Sequence, residues 1–307
     1  MIKKIQIKKD YEVRLDKYLK NLFTSLTQSF IEKNIRKKNI LINNSRTKAN
    51  YVVKLNDNLI ILNFHEELYK NKIIYKKNIN ISDNDLKKFN KSIIFQNNYF
   101  LVINKWSDIA TQGGSKVNVS IDHIIKNINP NYRLVHRLDK ETSGLLLISK
   151  NLKYARSFST LFKQHLITKF YIALCEGSPK NKNSKVLLNI KNKNQEIEKT
   201  ITNYVVIGNK NNITQILYNP ETGKTHQLRK VSKNLGCSII GDKKYNINSR
   251  YTHEKLMLHA LAINFTMNNK KFRFTAELPN YFQTFMQKNK LKFKNNIEKE
   301  LNTFKFL

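Results

Sequence analysis

The order of strand-like segments in the last two thirds of the chain constrains its fold most. Short runs of β-branched, aliphatic and aromatic residues follow one another at 92–95, 99–103, 145–149, 170–176, 201–207, 213–218, 257–265 and 271–275. Helical periodicity interrupts them only at 152–166, at 226–235 and near the C-terminus, so strands and helices do not alternate regularly. A doubly wound parallel sheet needs that alternation. The pattern therefore predicts an α+β domain with a mostly antiparallel sheet.

The first 63 residues predict a smaller, separate α+β domain. Leu15, Leu19, Leu22 and Phe23 share one helical face, residues 26–35 continue the pattern on a second helix, and residues 40–42 and 58–62 have the composition of strands. Residues 64–91 lack a clear period and are predicted to be a linker, which leaves residues 92–307 as the second domain. Asn- and Lys-rich stretches such as 180–199 are predicted to be surface loops.

Basic side chains crowd around the second predicted helix and the turn that follows it. They form either a phosphate-binding surface or an ordinary solvated basic face, and the pattern by itself leaves both interpretations open. The six residues are Lys33, Arg36, Lys37, Lys38, Arg46 and Lys48.

The whole chain is strongly basic, with 56 Lys and Arg against 22 Asp and Glu and a net charge of +34. Such a charge favours a polyanionic partner. An AT-rich genome also enriches Lys, Asn and Ile at the expense of Gly and Pro, as seen here. The charge is spread almost evenly, since residues 1–63 carry 14 basic and 5 acidic side chains. Charge alone therefore does not establish RNA binding.

Several classes of protein are disfavoured by what the sequence lacks. No apolar run approaches the roughly 20 residues of a membrane span, and no apolar segment of the signal-peptide type follows the basic N-terminus. Cys175 and Cys237 have no paired spacing and are predicted to be reduced, buried thiols. No Cys or His pair has the spacing of metal ligands. We therefore expect a cytoplasmic protein without a membrane anchor or a metal site.

The densest concentration of chemistry is the segment HRLDKETSG at 136–144, which leads directly into the apolar strand at 145–149. Asp139 lies there between the basic residues Arg137 and Lys140. Nearby cations favour an ionised carboxylate, and an ionised carboxylate is a competent nucleophile. The alternative interpretation is an ordinary salt bridge in a loop.

Two further polar segments carry candidate site residues. TGKTHQLR at 222–229 precedes a helix, and Lys224, His226 and Arg229 could meet phosphate there. KFYIALCEG at 169–177 is a strand that ends at a glycine, and Tyr171 shares a strand face with Ala173 and Cys175. The alternative interpretation of the first segment is an ordinary basic helix start, and that of the second is a tyrosine that only fills the core.

Taken together, these segments resemble the bacterial ribosomal large-subunit pseudouridine synthases. The resemblance covers nearly the whole chain, because NKWSDIATQGG (104–114), GDKKY (241–245) and KLMLHALAINF (255–265) occupy the expected places around the three segments. RLDKYL (14–19), SFIEKNIRKKNILIN (29–43) and KLNDNLIIL (54–62) resemble the S-four-type RNA-binding domain, and this N-terminal portion is most similar to that of synthase C. The resemblance implies a small RNA-binding domain followed by a synthase domain.

The resemblance assigns roles to individual residues. Asp139 matches the catalytic aspartate, and Arg137 matches an arginine that helps to hold the flipped nucleotide. Tyr171 matches the tyrosine that packs on the target base and is the candidate base for the proton on carbon 5. Arg229 matches the arginine that pairs with the aspartate. The remaining residues that the resemblance assigns to substrate binding are Lys224, His226 and Gln227.

The resemblance implies isomerisation of uridines in 23S ribosomal RNA, without a cofactor and by a monomeric protein. Trp106, Asp108, Gln112, Lys224 and Val231 depart from the usual family pattern, which puts substrate affinity in question more than chemistry. Two other functions remain open at this point. One is a non-catalytic RNA-binding assembly factor, and the other is a hydrolase that uses the same carboxylate to remove the base.

Overall fold

The computed structural model describes residues 1–71, 80–114, 117–192, 195–292 and Phe304. The chain forms two compact units, Met1–Asn78 and Ile79–Leu307.

The first unit combines two helices with a small antiparallel sheet. Its elements are β1 (Lys3–Gln6), α1 (Leu15–Leu22), α2 (Gln28–Arg36), β2 (Ile40–Ile42), β3 (Ser45–Arg46) and β4 (Asn58–Ile61), and the strand order is β1-β4-β2-β3. Leu15 and Leu19 of α1 meet Ile31 and Ile35 of α2 in one buried core. The helical faces predicted from the sequence are therefore confirmed.

The second unit is built on one large sheet. Its strands are β5 (Ile93–Gln96), β6 (Phe100–Lys105), β7 (Arg133–Leu134), β8 (Ser143–Ser149), β9 (Thr168–Glu176), β10 (Asn183–Lys191), β11 (Ile197–Lys210), β12 (Ile213–Pro220), β13 (Leu258–Met267) and β14 (Lys270–Thr275). Its helices are α3 (Asp83–Lys91), α4 (Ile121–Ile128), α5 (Leu152–Lys163), α6 (Gln227–Asn234) and α7 (Asn280–Lys288).

The sheet of the second unit has the strand order β10-β11-β12-β9-β13-β8-β6-β5, and β14 and β7 pair with β13 and β8. The pairing is antiparallel except between β13 and β8. This confirms the α+β class with a mostly antiparallel sheet. Because β9 and β8 both flank β13, the segments that hold Tyr171 and Asp139 are brought to neighbouring places.

Gly144 makes the parallel contact between β8 and β13 possible. Its φ angle is +110°, and a Cβ atom built on it would lie 2.3 Å from the carbonyl oxygen of Ala260. Any side chain at this position would push β13 away from β8. The glycine that ends HRLDKETSG therefore fixes where the Asp139 loop enters the sheet.

The domain boundaries of the structure differ from those predicted at residues 63 and 92. Phe64 and Tyr69 are buried in the core of the first unit, and Phe89 of α3 is buried in the second. The predicted linker thus contains a full helix, capped by Ser82, that belongs to the second unit. Its polar outer face, not a lack of structure, explains why the sequence shows no clear hydrophobic period.

Residues 183–191 form a strand, so the predicted surface loop at 180–199 is wrong for most of its length. β10 pairs with β11 from Asn183 opposite Val205 to Lys191 opposite Ile197. Lys and Asn alternate with apolar residues in β10, and its exposure alternates accordingly. The strand lies at the sheet edge, where lysines are commonly found because they discourage pairing with other chains.

Candidate active site

The three segments singled out in the sequence meet at one cavity. Its walls come from residues 137–142, from Lys169 and Tyr171 of β9, from residues 220–229 and from Leu258. The cavity has a volume of about 110 Å³.

The loop that carries Asp139 is held by the segment after β6. The hydroxyl of Thr111 donates to the carbonyl of Leu138 at 2.7 Å and accepts from the Leu138 N–H at 3.1 Å. The Lys105 ammonium donates to the carbonyls of Lys140, Trp106 and Ile109 at 3.0–3.2 Å. The peptide groups on both sides of Asp139 are thus fixed by hydrogen bonds.

Lys105 is completely buried. Burial lowers the pKa of its ammonium to about 7, against the opposing effects of Asp108, Asp139 and Glu141. Ser107 adds a further hydrogen bond to the same loop, from its hydroxyl to the carbonyl of Glu141 at 2.9 Å. Residues 105–111, which we call the strap, therefore hold the loop at 138–141 in place.

Within the described ranges, the one ion-pair partner of the Asp139 carboxylate is a histidine. Oδ2 of Asp139 lies 3.9 Å from Nε2 of His226, and the two side chains are about one-fifth exposed, at 19% and 21%. Within the described ranges, no arginine lies at ion-pairing distance from Asp139. The simple loop salt bridge considered from the sequence is therefore not found there.

His226 is held in place by its backbone and by a tyrosine. It precedes α6 in the left-handed conformation, with φ of 55°, and its Nδ1 lies 3.1 Å from the hydroxyl of Tyr245. Burial lowers the pKa of His226, and the opposing charge of Asp139 does not reverse the shift. The imidazole is therefore neutral near pH 7. When the Tyr245 hydroxyl donates to Nδ1, the proton lies on Nε2 and faces Asp139.

Arg229 has a different partner from the one that the family resemblance implied. Its guanidinium forms a two-pronged pair with Asp242, at 2.8 Å from Nε to Oδ2 and 2.6 Å from the second nitrogen to Oδ1. Asp242 also accepts from the N–H groups of Lys244 and Tyr245 at 3.0 Å. Another Arg229 nitrogen lies 3.6 Å from Glu141 in the Asp139 loop. Arg229 thus links the turn at 241–245 to that loop, and it is not paired with Asp139.

Tyr171 lines the cavity from β9. Burial, and then the negative charge of Asp139, raises the pKa of its phenol. The hydroxyl therefore stays protonated at neutral pH. Among the described residues, no side chain or backbone group is hydrogen-bonded to it, so it is available to a ligand in the cavity.

The remaining predicted site residues differ in their exposure and in their partners. Arg137 is exposed at the cavity wall and makes no ion pair within the described ranges. Lys224 also lines the cavity, but its ammonium lies 3.1 Å from Glu198. The buried amide of Gln227 donates to Ile201 and Thr202 and accepts from Thr222 and the Lys224 N–H. All four of its hydrogen-bonding positions are occupied by the protein, so the Gln227 amide shapes the turn and has no free position to offer a substrate.

Sequence reasoning did not assign several residues that build the site. Asp242 lies in GDKKY, and the strap residues Lys105 and Thr111 lie in NKWSDIATQGG, so the motifs were found without these roles. Lys169 also lines the cavity. Its position two residues before Tyr171 in a strand was the available signal, because such residues share a face.

Two features are absent from the described ranges. No three His, Cys, Asp or Glu side chains converge there as ligands for a metal ion. None of the helices described has the length and apolar character needed to span a bilayer.

Family models match both units. The RNA pseudouridylate synthase model matches residues 99–234, which include the Asp139 loop, Tyr171 and Arg229. The S4 domain model matches residues 13–59. The order of the two matches agrees with the order predicted from the sequence.

Solved structures show the same fold at lower sequence similarity. Human RNA pseudouridylate synthase domain containing 4 superposes with a TM-score of 0.61 at 22% identity, covering 68% of this chain and 97% of that one. Human RNA pseudouridylate synthase domain containing 1 gives a TM-score of 0.52 at 25% identity, covering 61% and 83%.

Curated relatives are similar over almost their full length. Ribosomal large subunit pseudouridine synthase C of Rickettsia prowazekii is 36% identical over 291 residues, covering 88% of this chain and 95% of the relative. The protein of that name from Buchnera aphidicola subsp. Schizaphis graminum is 31% identical over 302 residues, covering 89% and 92%. With the matched motifs gathered around one cavity, this chain belongs to the RNA pseudouridylate synthase family and carries an S4 domain before the synthase domain.

Proposed function

We propose that this chain isomerises specific uridines of 23S ribosomal RNA to pseudouridine, with Asp139 as the catalytic carboxylate. The observation that carries the proposal is the meeting of Asp139, Tyr171 and Arg229 at one cavity. The names of the relatives from Rickettsia and Buchnera support the large ribosomal subunit as the source of the substrate.

The reaction conserves all atoms of the RNA. The bond from nitrogen 1 of uracil to carbon 1′ of the ribose breaks, the base rotates, and a bond forms from carbon 5 to carbon 1′. Carbon 5 loses its proton and nitrogen 1 gains one. Because the proton lost from carbon 5 is balanced by the proton gained at nitrogen 1, and no net electrons are transferred, the reaction requires no cofactor.

Each cavity residue has a role in this scheme. Asp139 initiates bond cleavage, and Arg137 contacts the flipped nucleotide at the mouth of the cavity. The raised pKa of Tyr171 favours packing on the base and hydrogen bonding over a role as a free phenolate base. Arg229 acts through Glu141 and Asp242 as a positioning residue.

Entry of the target uridine requires that it leave its stack, which costs a few kcal/mol. Contacts to the RNA backbone offset that cost. In the first unit, Arg36, Arg46 and Lys48 line a concave surface with Glu32 and Ile35. We infer that this surface grips an RNA backbone and positions the substrate without taking part in chemistry.

The same proposal includes the other basic residues of the first unit and the state of the protein. Lys33, Lys37 and Lys38 are exposed beside this surface and would extend its positive field. The protein acts as a monomer in the cytoplasm, where ribosomal RNA is available.

Two other functions predict different products. A hydrolase would remove the base, which lowers the mass of the RNA, and a non-catalytic assembly factor would leave the RNA unchanged. Isomerisation keeps the mass but releases the hydrogen on carbon 5. The cavity offers a carboxylate that no arginine or lysine of the described ranges pairs with, and a phenol lines the same cavity, which favours a catalytic site over a binding surface alone.

The test uses unmodified 23S ribosomal RNA transcribed with carbon-5-tritiated uridine. We expect the purified chain to release tritium into water, to leave the mass of the RNA bases unchanged, and to create pseudouridine at discrete positions in a chemical map. A loss of base mass would support the hydrolase instead. Binding of the RNA without loss of base mass and without release of tritium would support the assembly factor.

A further inference from the structure

Lys169 lies where a ligand in the cavity can reach it. It is the second residue of β9, and its backbone pairs with Ile263 of β13. Tyr171 follows two residues later, so both side chains project from the same face, about 7 Å apart along the strand. Both side chains line the cavity that contains Asp139.

The positive charge of Lys169 is not compensated within the described part of the chain. Its ammonium meets no carboxylate and donates no hydrogen bond there, although the side chain is largely buried. The cavity cations Arg229 and Lys224 differ in this respect, because Asp242 and Glu198 pair with them. Partial burial disfavours a cation without a counter-charge, so a bound anion would stabilise the ammonium of Lys169.

The neighbours of Lys169 do not use its charge either. Burial, and next the charge of Lys169, lowers the pKa of His136 to about 3, so that imidazole is neutral and accepts from the Leu147 N–H at 2.8 Å. The pKa of Tyr171 is raised by burial and by the charge of Asp139.

We propose that Lys169 binds the backbone phosphate on one side of the flipped uridine, and the inference rests on the proposed function. Every nucleotide of RNA carries one such fixed anion, whereas the uracil ring is neutral when it enters. Burial lowers the pKa of Lys169, and a bound phosphate would favour its charged form again. The contact would offset part of the cost of unstacking and would hold the nucleotide while the base rotates.

The test compares variants of the full-length chain on tritiated, unmodified 23S ribosomal RNA under single-turnover conditions. Lys169→Met removes the charge and keeps an unbranched side chain, and Lys169→Arg keeps the charge. Lys270→Met is the matched control, because Lys270 is an exposed lysine of strand β14 that does not line the cavity.

We expect Lys169→Met to lower the rate per unit RNA concentration by about 10- to 100-fold, the range for a hydrogen bond to a charged group. The loss should lie mainly in a higher RNA concentration for half-maximal rate, and Lys169→Arg should restore most of it. The slope of log rate against log salt should decrease in magnitude by about one, the value for the loss of a single phosphate contact. A Lys169→Met variant that matches Lys270→Met in rate and salt slope would overturn the proposal.

A second measurement identifies the phosphate. A short RNA around the mapped uridine carries a neutral methylphosphonate at one flanking position at a time. At one of these positions, the methylphosphonate should reduce the activity of the wild-type chain as much as Lys169→Met reduces activity on the unsubstituted RNA. The same methylphosphonate should cause no further loss in Lys169→Met. Fully additive losses at both positions would also overturn the proposal. If Lys169→Met does not fold by circular dichroism, Lys169→Gln takes its place in both measurements.

The proposed function and the phosphate contact of Lys169 are tested by different outcomes. If the wild-type chain releases no tritium from 23S ribosomal RNA, the proposed function is wrong. If it releases tritium and the Lys169 variants behave as the control does, the function stands and only the phosphate contact is wrong.

Discussion

The Asp139 carboxylate faces a neutral imidazole, and the guanidinium of Arg229 is directed elsewhere. His226 Nε2 lies 3.9 Å away, and burial keeps the pKa of this imidazole low. A neutral neighbour can donate a hydrogen bond without neutralising the carboxylate. The backbone anchors at Leu138 and Lys140 hold Asp139 at the cavity without using its side-chain oxygens. The carboxylate is therefore positioned and still available to a substrate.

Replacing Asp139 with Asn tests whether the charge is required. We expect single-turnover tritium release to fall by about 10³-fold or more, within the range of positioned catalytic groups, while RNA affinity changes by only a few-fold. Asp83→Asn is the control, since Asp83 is an exposed carboxylate in α3. Tritium release near the wild-type rate from Asp139→Asn would contradict its assignment as the catalytic carboxylate.

Arg229 and Asp242 should contribute chiefly to stability. Arg229→Ala leaves the fully buried Asp242 carboxylate without its partner, and breaking such a pair costs about 3–5 kcal/mol. Urea unfolding of the wild-type chain and the variant measures this loss. Arg229→Lys keeps a charge but not the two-pronged geometry, so it should recover only part of the stability.

The same pair predicts a dependence of stability on pH. Burial raises the pKa of Asp242, but the hydrogen bonds and charge of Arg229 outweigh it, and the folded-state pKa is lowered. The stabilisation is therefore complete above the unfolded pKa of about 3.9 and is lost as pH falls through the lower folded value. Arg229→Ala should lack this acid-side loss. If the unfolding free energy of Arg229→Ala equals that of the wild-type chain at pH 7, the pair of Arg229 and Asp242 is dispensable for stability.

The site could be predicted from the sequence in its residues but not in its pairings. HRLDKETSG and TGKTHQLR gave Asp139 and Arg229, because short polar motifs keep their residue types together in the chain. The partner of Arg229, Asp242, lies 13 residues further on and meets it only after the turn at 241–245 has formed. Gln227 illustrates the reverse error, since its place in a motif does not reveal that protein groups occupy its amide.

At the scale of elements, the strap at 105–111 and the glycine contact of β8 together set the position of the Asp139 loop. The strap holds the loop through backbone carbonyls, so its own side chains need not touch the substrate. Gly144 fixes the other end of the loop against β13. A small shift of either element would move Asp139, and misplacement by about 1 Å can cost a hundredfold in rate.

Thr111→Val tests the strap with little change in shape. The variant leaves the buried N–H and carbonyl of Leu138 without their hydroxyl partner, so we expect a loss of about 1–3 kcal/mol in unfolding free energy. The single-turnover rate at saturating RNA should also fall. Thr111→Ser keeps the hydroxyl and should restore both quantities towards wild type. If Thr111→Val and the wild-type chain have equal single-turnover rates and equal unfolding free energies, the strap does not position the loop.

Elements were predictable where one physical signal dominated. The strand at 145–149 is continuously apolar and is buried along its whole length, so it was recognised. β10 was missed because the exposed Leu187 interrupts the alternation of polar and apolar residues, and because its other exposed positions hold the Lys and Asn that are also common in loops. α3 was missed because only Phe89 of its nine residues is buried, and a single buried residue gives no helical period.

For the whole molecule, the net charge of +34 supplies attraction to RNA, but only some of the charges are arranged as a surface. In the first unit, Arg36, Arg46 and Lys48 line one concave surface, whereas Lys4 and Lys8 are exposed elsewhere on the unit. Non-specific attraction should depend on the total charge. Contacts that position the substrate should depend on which charges are removed.

The last prediction separates these two contributions. Arg36→Gln with Arg46→Gln removes two charges from the concave surface, and Lys4→Gln with Lys8→Gln removes two from elsewhere on the same unit. If both arginines contact phosphates, the first pair should weaken binding to 23S ribosomal RNA and reduce the slope of log affinity against log salt by about two. The second pair should change both quantities much less. Binding is measured by filter retention from low to physiological salt.

The rate of tritium release at saturating RNA provides the internal control for that comparison. It should be unchanged in both double variants, because the catalytic cavity belongs entirely to the second unit, Ile79–Leu307. Equal losses of affinity in the two double variants would mean that only total charge matters and that the concave surface is an ordinary solvated face. A lower saturating rate in the arginine variant alone would mean that the first unit also affects the catalytic step.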